Sequence, residues 1–337
     1  MNYLSQKKAI KQGKIESVYF IHGNQSFLME DFLQQLINYV QTKEQQPNIL
    51  NFPLSETPIE VIVEEAETMS FFGGNKIIVI KDFYAVSSKK IDSKFDHDFK
   101  QLERYLENPA PETILVILAP YEKLDERKKL TKLLKKTTVV EANTFDEKTL
   151  KEWLITEAKT RNVTLEMNVA EQMMERVGTN LLLLTQEIDK LALYAGEGEE
   201  ITEDMVKLLV SRTLEQDIFA LIDLAITNQT EKALIIFHDL LRQKEEPLKI
   251  LSLLTRQIRI YYQVKELLKR GYSHKEMAQL VKLHPYVVKL ASQKVHLFEE
   301  AQLKQLMKEA AECDYSIKTG KIEKALAVEL YIFKLAH

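Results

Sequence analysis

The sequence predicts an α/β domain built on a parallel sheet, followed by an all-α remainder. Two observations carry this expectation. In the first third, short apolar runs rich in Val, Ile and Phe alternate with segments of helical period, and from Phe145 onward only helical periods occur. Runs that are apolar almost without a break mark strands buried on both faces, as in a parallel sheet covered by helices on each side. Strand and helix alternating in this way give a three-layer α/β domain.

The expected strands are VYFIHG (18–23), ILNFPL (49–54), KIIVIKDF (76–83), ILVILAP (114–120) and TTVVEA (137–142). Between the first two lies SFLMEDFLQQLINYVQ, which places Phe27, Leu28, Phe32, Leu36 and Tyr39 on one helical stripe. Pro58 to Met69 reads as a short helix with Ile59, Ile62, Val63 and Ala66 on its inner face. DERKKLTKLLKK (125–136) is the next helical segment.

Past Phe145, four short helices are expected over 147–162, 168–178, 180–196 and 202–211. Gly178, Gly196 and Gly198 stand where C-caps or turns belong, and Thr202 followed by two acids marks a helix start. From EQDIFALIDLAI to the end the pattern stays helical, with helices closing near Asn228, Glu245, Gly271 and Gly320 and another opening at Pro285. Three domains follow: 1–143 α/β, 144–212 a small helical domain and 213–337 a second helical domain.

Composition narrows the function. The single cysteine, Cys313, excludes a disulfide framework within the chain and fits a reducing cytoplasm. The polar start MNYLSQKKAIKQGK has no apolar core of a secretory signal, and no apolar run reaches the ~18 residues of a membrane helix. A cytoplasmic protein is expected. The net charge is −4, yet Arg256, Arg259, Lys265, Lys269, Arg270 and Lys275 cluster against the single acid Glu266, a pattern suited to phosphate contacts or to a solvated helix face.

VYFIHGNQSFLMED is the strand, glycine turn and helix where a phosphate-binding loop would sit. That loop needs G-x-x-x-x-G-K-[ST], and here only Gly23 is present. No strand ends in paired acids for magnesium, the histidines show no ligand spacing, and there is no G-x-S-x-G elbow. No catalytic residue, cofactor or metal site is expected. The fold is that of a nucleotide-binding domain without its nucleotide site.

Several stretches in order resemble one family along the whole chain: VYFIHGNQSFLMED, FFGGNKIIVIKD, NLLLLTQEIDKLALYAGEGEEITEDMV, EEPLKILSLLTRQIRIYYQVKELLKRGYS, HPYVVKLASQ and DYSIKTGKIEKALAVELYIFKL. Together these resemble the delta subunit of the bacterial DNA polymerase III clamp loader. The resemblance implies a degenerate AAA+-type α/β domain, a helical lid (144–212) and a helical collar (213–337). It implies a protein that binds the sliding clamp (beta) and opens its ring for loading onto primed DNA. Delta prime and tau/gamma subunits would join through the collar, and ATP would be hydrolysed by sister subunits. Polymerase activity would then belong to the holoenzyme, and no membrane is involved.

In TMSFFGGNK (68–76), two adjacent phenylalanines precede two glycines. One helix or strand face cannot bury both rings, and exposed paired aromatics mark interaction sites. The resemblance implies that Met69, Phe71 and Phe72 form the wedge that enters a hydrophobic pocket on the clamp; other members carry Leu-Phe here. For either ring singly, closing the sheet edge remains the alternative. Two other functions stay open: an active ATPase of the same superfamily, against which the missing loop counts, and a DNA-binding adaptor, motivated by the basic stretch.

Overall fold

Five strands form one parallel sheet in the order β2-β3-β4-β1-β5. The computed structural model describes residues 3–43, 47–69, 76–88 and 94–335. The first part runs α1 (Tyr3–Lys11), β1 (Val18–Gly23), α2 (Ser26–Lys43), β2 (Asn48–Pro53), α3 (Ile59–Glu67), β3 (Lys76–Lys81), α4 (Phe99–Glu107), β4 (Thr113–Ala119), α5 (Lys129–Leu134) and β5 (Thr138–Ala142). One row across the sheet joins Phe52, Ile80, Ile117, Phe20 and Val139 by register. These residues face a core closed by α3, α4 and α5 through Ile59, Ile62, Leu102, Tyr105, Leu130 and Leu134. On the opposite face Tyr19 meets Phe32 of α2, ring centroids 5.6 Å apart, and Phe32 meets Tyr3 of α1 at 6.3 Å.

The central strands β1 and β4 are buried throughout and β3 almost throughout, as their unbroken apolar runs predict. The edge strands correct that reading. β2 has no fully buried residue and β5 only two, because an edge strand is covered less on its faces and flank. Two helices were not foreseen: α1, in a segment that reads as merely polar, and α4, which buries Leu102 and Tyr105. Helix α5 starts later than Asp125, because the Asp125 carboxylate accepts from the Arg127 backbone N–H and pairs with its guanidinium. Such local side-chain bonds compete with helix formation.

Contacts gather the chain into two compact units, Met1–Thr144 and Phe145–His337. The second runs α6 (Glu147–Lys159), β6 (Thr164–Leu165), α7 (Met167–Val177), α8 (Leu181–Ala195), β7 (Glu200–Ile201), α9 (Glu203–Leu209), α10 (Leu214–Ile226), α11 (Thr230–Arg242), α12 (Pro247–Lys269), α13 (His274–Val281), α14 (Pro285–Lys294), α15 (Glu300–Lys318) and α16 (Lys324–Leu335). The four helices expected between 147 and 211 are α6 to α9. Asp146, Asn180 and Thr202 cap α6, α8 and α9 by accepting from backbone N–H groups. Strands do not vanish after Phe145, however: β6 and β7 pair in parallel over two residues each, closing the turns around Asn162 and Gly198. In the last seven helices, α12 is central, burying Ile250, Leu254, Ile258, Tyr261 and Val264 against the shared core.

Inside this second unit, Glu147 at the start of α6 accepts from Lys289 of α14 at 2.7 Å and pairs with Lys151 at 3.0 Å. His284, the N-cap of α14, accepts from the Tyr286 backbone N–H and is bonded to the Phe145 carbonyl. Burial pushes its imidazole pKa down.

Candidate partner-binding site

The helix that leads to the paired aromatics is short, and its four inner residues Ile59, Ile62, Val63 and Ala66 are the ones it buries. At nine residues it would not hold alone in water. Its ends are fixed from other elements. No side chain of its own N-cap, Pro58, bonds the first turn; instead Nδ1 of His97 accepts from the Ile59 backbone N–H at 3.2 Å. Because Nδ1 accepts, the neutral ring carries its proton on Nε2, which lies 2.7 Å from the Tyr84 hydroxyl. Desolvation lowers the His97 pKa, against the opposing fields of Glu60 and Asp96.

At the other end, Thr68 takes an extended conformation and stops the helix, while its hydroxyl donates back to the Glu64 carbonyl at 2.8 Å. Lys76, the first residue of β3, sends its ammonium to the same turn. It bonds the Glu65 carbonyl, the Thr68 carbonyl at 2.7 Å and the Glu65 carboxylate at 3.1 Å. Thr113 of β4 adds a bond from its hydroxyl to the Ala66 carbonyl at 2.8 Å. The last carbonyls of a helix have no intrahelical partner, and these donors supply one.

Met69 follows directly and is 83% exposed, close to Leu193 at 86% among the exposed large apolar side chains. Phe71 and Phe72 lie outside the described residues. Lys76, Thr113 and His97 escaped the sequence reading. The one available signal was a lysine opening the apolar run Ile77–Ile80, where a buried charge requires partners.

At the end of β1, the chain reaches α2 through Asn24 and Gln25 alone. Asn24 accepts from the Thr144 backbone N–H at 2.9 Å and donates to Glu122 at 3.1 Å, and Gln25 donates to the Thr144 hydroxyl at 2.9 Å. Gly23 packs so tightly on β5 that a Cβ there would lie 2.0 Å from the Ala142 carbonyl oxygen. The connection is filled by side-chain bonds and bears a carboxylate. Both features oppose a phosphate.

The basic stretch is also largely occupied. Arg256 pairs with Glu215 at 3.0 Å, Lys265 donates to the Val295 and Phe298 carbonyls, Lys269 bonds Glu300, and Arg270 reaches Glu266 at 4.0 Å. The Glu300 carboxyl is held at about 2 by Lys269 and Lys304. Glu215 and Glu300 come from distant sequence, so the local count overstated the free charge. Lys318, Thr319 and Gly320 form the close of α15, with Gly320 at φ +70°, as the glycine predicts. Among the described residues no helix is long and apolar enough to cross a membrane.

Two family profiles match. DNA polymerase III, delta subunit, covers residues 19–143, and DNA polymerase III delta subunit, C-terminal domain, covers 215–335. The chain is 39% identical over 330 residues to DNA polymerase III subunit delta of Bacillus subtilis, covering 97% of this chain and 95% of that one. It is 26% identical over 273 residues to a probable DNA polymerase III subunit delta of Aquifex aeolicus, covering 79% and 75%. The solved structure of the Bacillus subtilis DNA clamp loader delta protein superposes with a TM-score of 0.84 at 38% identity, over 99% of both chains. The degenerate parallel α/β domain with its helical remainder, and sequence similarity over nearly the full length, place this chain in the DNA polymerase III delta subunit family, as a clamp loader subunit.

Proposed function

We propose that this chain binds the sliding clamp through Met69, Phe71 and Phe72 and opens the clamp ring for loading onto primed DNA. The observation that carries the reading is Met69, an almost bare apolar side chain at the end of a helix whose two ends are held by His97 and Lys76. A rigid base presenting apolar residues suits entry into a hydrophobic pocket, where a few buried anchors supply most of the binding energy. Residues 144–212 act as a lid and 213–337 as a collar that joins delta prime and tau/gamma subunits. The chain has no catalytic chemistry of its own: the two-residue connection after Gly23 leaves no cradle for a nucleotide, so ATP hydrolysis falls to sister subunits. It works in the cytoplasm.

The test is direct. The cognate clamp is titrated over the immobilised full-length chain by surface plasmon resonance. Saturable binding is expected, together with release of closed clamp rings from circular DNA when the chain is in excess. A chain that is folded yet never retains the clamp overturns the proposal, and salt-dependent DNA binding without it favours a DNA adaptor.

A further inference from the structure

We propose that the trough between α12 and α15 docks an acidic amphipathic helix of a partner protein, with Arg256 and Arg259 as its carboxylate contacts. The inference does not rest on the reading of the clamp contact.

The trough has a volume of about 460 Å³. It stays open because α15 sets Ala310 and Ala311 against Ser252 and Thr255 of α12, side chains too short to close the gap. Leu248, Leu251 and Met307 give it an apolar lining, and an unbranched methionine adapts readily to what it meets. The Thr255 hydroxyl is spent on the Leu251 carbonyl at 2.7 Å, so it asks little of an occupant. Along α12 the lining runs from Leu248 to Arg259, roughly 16 Å at 1.5 Å per residue, or about three helical turns. An apolar trough of that length suits a helix laid in by one stripe of apolar side chains.

Charge selects the kind of helix. Arg256 and Arg259 stand one turn apart on the same side. Arg259 is exposed and has no hydrogen-bond or ion-pair partner among the described residues. Arg256 pairs with Glu215 at 3.0 Å, but the two side chains are 52% and 60% exposed, so the pair contributes little and can open. A guanidinium fork matches a carboxylate with two parallel bonds. A nucleic-acid backbone fits less well. It draws on many basic contacts, and here the α15 side carries the Asp314 carboxylate, which accepts from Lys318 at 2.8 Å. Carboxylates on an otherwise apolar helix satisfy both the arginines and the lining.

The test measures fluorescence anisotropy of the full-length chain with three labelled peptides, each about fourteen residues and braced as a helix because so short a helix is marginal alone. They share one leucine stripe, and their flanking positions are all glutamate, all glutamine or all lysine. Saturable binding is expected for the glutamate peptide, about tenfold weaker binding for the glutamine peptide and none for the lysine peptide. Arg259→Glu should leave the melting temperature unchanged and reverse that order. Ala311→Trp, filling the trough from an exposed position, should abolish binding of all three. Lys275→Glu makes the same charge change at an exposed residue outside the lining and should change nothing. Should Arg259→Glu not fold, Arg259→Gln should remove the preference for glutamate over glutamine. The proposal is overturned if no peptide binds, or if Arg259→Glu and Lys275→Glu weaken binding equally. It is also overturned if duplex DNA, rather than the glutamate peptide, binds in a manner that needs Arg259. Self-association in sedimentation that is lost in Arg259→Glu would assign the trough to a second copy of the chain instead.

Discussion

Nδ1 of His97 accepts the backbone N–H of Ile59, so the first turn of α3 is capped by a ring 38 residues further along the chain. Only the neutral ring can accept there. Burial holds the His97 pKa below its ordinary 6.5, so the folded chain binds fewer protons than the unfolded chain from that depressed value up to 6.5. The stability from this cap is whole above pH ~6.5 and is lost as the pH falls through that window. His22 and His284, both lowered by burial, act in the same direction. Melting temperature should drop between pH 7.5 and 5.5, and less steeply in His97→Asn, whose amide oxygen can accept the same N–H. Equal slopes for the two proteins would refute the role given to this ring.

The closed connection after β1 makes a nucleotide prediction. Calorimetry of the purified chain with Mg-ATP should give no saturable heat. A micromolar dissociation constant, about −8 kcal/mol, would restore the ATPase alternative.

Changing Phe71 and Phe72 together to alanine should leave the melting temperature near wild type and weaken clamp binding at least a hundredfold. The estimate follows from about 1.5–3 kcal/mol for each buried phenylalanine, with about 1.4 kcal/mol per factor of ten. If the rings instead belong to the core, the melt falls by roughly 3 kcal/mol or more for each, and the wedge is excluded.

A fragment beginning at Phe145 should fold cooperatively and co-elute with sister loader subunits in size exclusion. One beginning at Leu214 should melt earlier, because it loses Glu147, the partner of Lys289, and the Phe145 carbonyl that binds His284. The Lys289 and Glu147 side chains are 42% and 23% exposed, so the difference from that pair alone should stay near 1 kcal/mol. Identical melts would show that this seam is decorative.

Much of the fold was legible because periodicity is written locally. The inner face of α3, the buried runs of β1, β3 and β4, and the caps at Thr202 and Gly320 follow from spacing alone. What stayed hidden depends on residues brought together from afar. Ile59 says nothing about His97, and Lys269 shows only its near neighbour Glu266, whereas folding adds Glu300. The faces of β2 could not be told from those of β3, since edge or centre is a matter of strand order rather than composition. The proposed contact was legible as an anomaly in the run after Thr68; the bonds from Lys76 that close α3 were not.

Gly23 and the short turn after it have an evolutionary consequence. Writing G-x-x-x-x-G-K-[ST] from Gly23 by substitution alone would put glycine at Leu28 and lysine at Met29. Both residues already sit inside α2 with their side chains buried, Leu28 completely. Each change would empty or charge the core before any phosphate was gained, at a cost of several kcal/mol. Acquiring a nucleotide site without that cost would instead require inserted residues between β1 and α2. Each point mutation toward such a loop would therefore cost stability before any ligand was gained, and the way back runs uphill like a ratchet.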